Sequence, residues 1–109
     1  MAAATSNATI TLELRGFLAD RLADLGRRRG TRTIIDTNTP CAGTVAEVLE
    51  NLVRGEPRFG LLYDAEHTRL PEHVEVILND RVLDLQGGLD AQLKPGDVLG
   101  FLPAHAGGA

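Results

Sequence analysis

The sequence predicts an α+β fold, a mixed sheet of about five strands with one main helix. Three observations carry that expectation. Residues 9–14 alternate, with Ile10, Leu12 and Leu14 on one face and Thr9, Thr11 and Glu13 on the other, the period-two pattern of a half-buried strand. Thr44 and Glu47 form a Thr-x-x-Glu capping box ahead of Val45, Val48, Leu49, Leu52 and Val53, an apolar stripe along one helix face. A second alternating run, Val74, Val76 and Leu78, leads into Asn79-Asp80, both of which tolerate the left-handed backbone of a tight hairpin.

Taken in order, residues 1–8 are small and polar and are expected to form a flexible N-terminus. The first strand ends at Gly16. Phe17, Leu18, Leu22 and Leu25 then recur at helical spacing up to Gly26, which predicts a short helical turn. Arg27-Arg28-Arg29 reads as a solvated turn. Residues 31–37 are rich in β-branched side chains and lie between Gly30 and the Asn38-Thr39-Pro40 breaker, a second strand. The capped helix follows and is stopped by Gly55 and Pro57. Residues 56–73 are irregular, with Leu61, Leu62 and Tyr63 placed to cover one edge of the core. The third strand over 74–78 and a fourth over 81–85 make the hairpin. Gly87-Gly88 turns the chain, and 89–93 is a short turn-like segment. Lys94-Pro95-Gly96-Asp97 suits a type II turn with proline at its second and glycine at its third position. A fifth strand covers 98–102. The domain spans 9–102, and 103–109 is an extended, flexible tail ending in a Gly-Gly pair before Ala109. With the first two strands antiparallel, the first and last side by side, and the helix on one face of the sheet, the arrangement is a β-grasp.

Composition narrows the functional classes. The 109 residues carry a formal charge of −4, with 11 basic and 15 acidic side chains, a balance that argues against nucleic-acid partners. No apolar run approaches the roughly 18–20 residues of a membrane span, and residues 1–7 lack a signal-peptide pattern. One cysteine, Cys41, excludes an internal disulfide framework. A cytoplasmic protein without membrane partners is the expectation.

The familiar catalytic signatures are absent: there is no nucleophile elbow, phosphate-binding glycine loop or His-Glu-x-x-His zinc motif. Cys41 lies just before the helix cap, where a thiol can have a lowered pKa, yet no partner base is identifiable and a structural role is the plainer reading. His67 and His73 make no metal-ligand spacing with it and read as exposed loop residues. Asp64, Glu66 and Glu72 form no general acid/base pair. No metal site is predicted. The distinctive feature is Gly107-Gly108 beyond the last strand. Seven extended residues reach about 23 Å, and a neck without Cβ atoms can thread a narrow channel in another protein.

Residues 74–108, VEVILNDRVLDLQGGLDAQLKPGDVLGFLPAHAGG, resemble the C-terminal half of the ubiquitin-like sulfur carriers. That group includes the small subunit of molybdopterin synthase (MoaD), the thiamine carrier ThiS and the ubiquitin-related modifier that thiolates transfer RNA. ITLELRGFLADRLADLG and GTVAEVLENL resemble the family's opening strand and helix, so the likeness covers about residues 9–108. The resemblance implies a carrier or substrate protein rather than an enzyme. It holds no cofactor of its own; a partner adenylating enzyme uses ATP to activate the terminal glycine, and a sulfurtransferase then supplies sulfur to make a thiocarboxylate. A free carboxylate, ionised at neutral pH, needs such activation. Gly108 is then the activated residue and Gly107 the neck, while Phe101 and Leu102 match positions that present apolar side chains to the adenylating enzyme. Ala109 departs from the pattern: either a peptidase of the JAMM type cleaves between Gly108 and Ala109 before activation, or the partner tolerates the alanine. The large subunit of molybdopterin synthase is a further partner the resemblance suggests. Two other readings stay open: a modifier that forms isopeptide conjugates, and a β-grasp interaction module without covalent chemistry.

Overall fold

The computed structural model describes residues 8–39 and 43–104. Six strands form one sheet in the order β2-β3-β1-β6-β4-β5. Its centre is the parallel pair of β1 (Ala8–Leu14) and β6 (Val98–Pro103), with Leu12 opposite Leu99 and Leu14 opposite Phe101. β3 (Arg32–Thr39) runs antiparallel to β1 on one side, and β4 (Val74–Leu78) runs antiparallel to β6 on the other. The short edge strands are β2 (Arg27–Arg29) and β5 (Arg81–Val82). This is the β-grasp expected from the sequence.

Alternation decides which side chains enter the core. Ile10, Leu12 and Leu14 of β1, Ile35 of β3, Val74, Val76 and Leu78 of β4, and Leu99 and Phe101 of β6 all point to one face. There they meet α2 (Val45–Gly55), which contributes Val45, Val48 and Leu49. The helix starts as its capping box requires: the Glu47 amide donates to the Thr44 hydroxyl at 3.2 Å, and the Thr44 amide donates to the Glu47 carboxylate at 2.9 Å. α1 (Phe17–Arg21) adds Leu18 and Ala19 to the same core. The irregular stretch after α2 contains a 3₁₀ turn, Pro57–Leu61, and buries Phe59, Leu62 and Tyr63. The Tyr63 hydroxyl reaches Glu50 at 3.2 Å.

Two expectations are corrected. Arg27-Arg28-Arg29 is an exposed edge strand, paired antiparallel with β3 through residues 32–34, rather than a simple turn. The fourth strand stops at Val82 instead of continuing to Leu85. Leu83 must turn inward to be buried, and a 3₁₀ turn over Leu83–Gln86 does this. The Gln86 amide stabilises that turn by donating to the carbonyls of Leu78 and Arg81 at 3.1 and 3.0 Å. Asn79 and Asp80 both adopt positive φ, 51° and 70°, as the hairpin reading requires.

Candidate functional site

The sequence points to the end of β6, and the fold builds a defined root for the tail there. Arg15 donates its amide to the Phe101 carbonyl at 3.0 Å, carrying the β1–β6 ladder one residue past β1. Pro103 is the last β6 residue in register with β4, opposite Val74. The following amide, of Ala104, donates to the His73 carbonyl at 2.8 Å. Gly16 lies against the Pro103 ring so closely that a Cβ there would sit 2.5 Å from Pro103 Cγ.

Phe101 and Leu102 are separated by the pleat. Phe101 is 0% exposed and belongs to the core, so it has no side-chain surface to present and the docking role read for it is corrected. Adjacent strand residues face opposite sides. Leu102 accordingly lies half-buried on the outer sheet face, opposite Glu75. Gly107, Gly108, Ala109 and Cys41 lie outside the described residues.

The outer face next to Leu102 was missed in the sequence. Ile34, Ile77 and Val98 lie on it beside the exposed polar residues Thr9, Asp36, Asn38 and Glu75. Its centre is Gly100, where a Cβ would approach Ile77 Cγ1 to 2.7 Å, so the isoleucine lies directly across the glycine. Glu13 borders two shallow hollows, one of about 420 Å³ with Arg29, Gly30, Arg32 and Ile34, the other of about 240 Å³ with Ile77, Asn79, Asp80, Val98 and Gly100. Its carboxylate is bridged by Arg15 at 2.9 Å and Arg32 at 3.2 Å. The available signal was that β4 and β6 carry apolar side chains in both phases of their alternation, which a sheet with one wholly wet face does not need.

The other sequence candidates do not assemble. His67 Nδ1 is 2.8 Å from Asp64, whose carboxyl is held below its ordinary value, chiefly by this hydrogen bond. His73 Nε2 meets the Leu61 carbonyl at 2.8 Å. Among the described residues, no three His, Cys, Asp or Glu side chains are grouped to hold a metal. No described helix is long and apolar enough to cross a membrane.

A mixed six-stranded sheet packed on one main helix is the ubiquitin-like β-grasp fold. Comparison with known proteins makes this specific. The ThiS family model matches residues 30–108, and the chain belongs to that family, one of the ubiquitin-like sulfur carriers. Among solved structures, small archaeal modifier protein 1 (SAMP1) from Methanosarcina acetivorans aligns with a TM-score of 0.64 at 19% identity, covering 94% of this chain and 98% of that one. Urm1 from Trypanosoma brucei gives 0.63 at 20% identity, with coverage of 94% and 98%. The Amycolatopsis orientalis BexX/CysO complex gives 0.59 at 24% identity, with coverage of 90% and 98%. A search of curated proteins by sequence gives no match. Members of the family are small carriers and modifiers rather than enzymes.

Proposed function

We propose that this chain is a sulfur carrier whose reactive group is the carboxylate of Gly108. The observation that carries the reading is the Gly107-Gly108 pair a few residues beyond the β6 root, in a family match that extends through residue 108. A partner enzyme joins the Gly108 carboxylate to AMP, expelling pyrophosphate from ATP. The outer sulfur of a sulfurtransferase persulfide attacks the acyl adenylate and expels AMP. A thiol reductant then cleaves the resulting acyl disulfide to leave a thiocarboxylate, which donates sulfur in cofactor biosynthesis or transfer-RNA thiolation. Gly107 is the neck that enters the partner's active site, and Leu102 on the outer sheet face is a docking contact at its mouth.

In this reading cleavage after Gly108 comes first, since the Gly108 carboxyl group is otherwise held in the peptide bond to Ala109. A JAMM-type zinc peptidase fits that step, and the large subunit of molybdopterin synthase is one candidate recipient of the sulfur. Lys94 is the only lysine. Chain-forming isopeptide conjugation would have one acceptor on each copy, which favours sulfur delivery over chain-forming modification.

The test is intact-mass analysis of chains ending at Gly108 and at Ala109, each incubated with ATP, a sulfur donor and the host's adenylating and sulfurtransferase enzymes. The Gly108 chain is expected to gain the mass difference between sulfur and oxygen, and the Ala109 chain to stay unchanged. An unmodified Gly108 chain under conditions that thiolate another carrier of the host would refute the proposal.

A further inference from the structure

The tail root is gripped from two sides, and the grip is more specific than strand pairing requires. On one side is the β1–α1 corner. Gly16 has φ 62° and ψ −143°, a conformation essentially confined to glycine, and it faces Pro103 at a distance that leaves no room for a side chain. On the other side is the entry to β4, where the His73 carbonyl takes the Ala104 amide. Phe17 closes the space between them. Its ring centroid is 5.9 Å from that of His73, and the Arg21 guanidinium lies 5.8 Å from its centre on the way to solvent. The His73 ring is itself anchored on the Leu61 carbonyl.

Proline at 103 determines where the grip ends. After the bond from Arg15 to Phe101, the next donor in the parallel β1–β6 ladder is residue 103, and proline has no N–H to give. The ladder with β1 therefore stops, while the ladder with β4 continues to Ala104. The chain emerges held by one hydrogen bond on the β4 side and one ring contact on the β1 side.

We propose that Gly16 and His73 are positioning residues for tail delivery: by clamping Pro103 and Ala104 they aim the tail, so that neither of these residues has to be ordered by the partner enzyme that takes up Gly108. This rests on the carrier reading above. The four residues from 105 to 108 span at most about 13–14 Å when extended. An error in direction at the root would therefore displace the terminus by much of that length. Each backbone residue that a partner must order weakens binding by roughly five- to thirtyfold.

The test has two arms. In the unaltered chain, without any enzyme, the Ala104 amide is expected to exchange with solvent far more slowly than the amides after it. Exchange as fast as theirs would overturn the clamp. In the second arm, chains ending at Gly108 are assayed with the host's carrier-adenylating enzyme by ATP–pyrophosphate exchange. Gly16→Ala is expected to abolish Ala104 protection and raise KM for the carrier about tenfold, with kcat at saturation kept within twofold. Adding Pro103→Ala, which removes the ring atoms nearest the new methyl group, is expected to recover part of the loss. Phe17→Ala loosens the grip at a half-exposed position that the core does not depend on, and a rise of about threefold in KM is expected. It serves the same purpose should Gly16→Ala fail to fold. Loss of Ala104 protection with KM unchanged would sink the proposal. Absence of any exchange activity with the unaltered Gly108 chain would count against the carrier reading instead, and the first arm would still judge the clamp.

Discussion

The two ends of β6 are held by different means. At its start the Lys94–Asp97 turn is dense with polar contacts. Asp97 accepts from the Lys94 amide at 2.8 Å and from the Asn79 side chain at 3.0 Å, its carbonyl accepts from Thr11 at 3.0 Å, and Gly96 donates to Thr9 at 2.8 Å. The Val98 amide is taken by the Asn79 side chain at 2.9 Å. At its other end the strand keeps one amide bond and the flat contact of Pro103 on Gly16. One end is tied by several polar contacts, whereas the other is held by a backbone bond and a ring contact.

Phe101 lies between the two ends and anchors both. Phe101→Ala is expected to cost about 3–5 kcal/mol, as for a fully buried aromatic, read as a lowered urea midpoint. A loss below about 1 kcal/mol would mean that β6 is not held by the core. Next in size is Asp97→Ala, which leaves two donors at the tied end without their partner. About 1–2 kcal/mol is expected, with Ala104 exchange unchanged. If the tail root loosened as well, the two ends would not be independent.

The smallest effect is that of acid. Asp24, Asp36 and Asp64 are held below the ordinary carboxylate value of 3.8 by hydrogen bonds from Arg58, Arg27 and His67 respectively. Because the folded-state values are depressed, these pairs help stability above pH 3.8 and that help fades as pH falls through the lower folded values. Asp24 and Asp36 are exposed and Asp64 is half-buried, so a shallow decline is expected and the tail root should not respond. At the alkaline end, burial and the neighbouring Glu50 raise the Tyr63 phenol above 10.0. The unfolded chain then loses its proton first, and stability falls as pH rises past 10. Urea midpoints followed across pH check both limbs.

Much of this fold is legible in the sequence because its signals are local. The Thr44–Glu47 box, the stripe behind it, the alternation in β1 and β4 and the Asn79-Asp80 turn each act within a few residues. β2 was not legible, since three exposed arginines carry neither alternation nor an apolar face, and their pairing depends on β3. β5 was cut short by the burial of Leu83, a tertiary demand. At the site, the pleat alone separates Phe101 from Leu102, so sequence could have told them apart. The Gly16–Pro103 contact joins residues far apart in the chain, and no local pattern announces it.

The arginine strand has one further consequence. An open sheet margin is a template on which a second copy can add its own strand. Two copies meeting edge to edge along β2 would bring their guanidinium groups to about one strand spacing, roughly 5 Å, apart. Arg27, Arg28 and Arg32 pair with Asp36, Asp20 and Glu13, and a second layer of arginines would set like charges against them. Like charge along this margin thus opposes edge-to-edge pairing of copies, an opposition that weakens as added salt shortens the range of the charges.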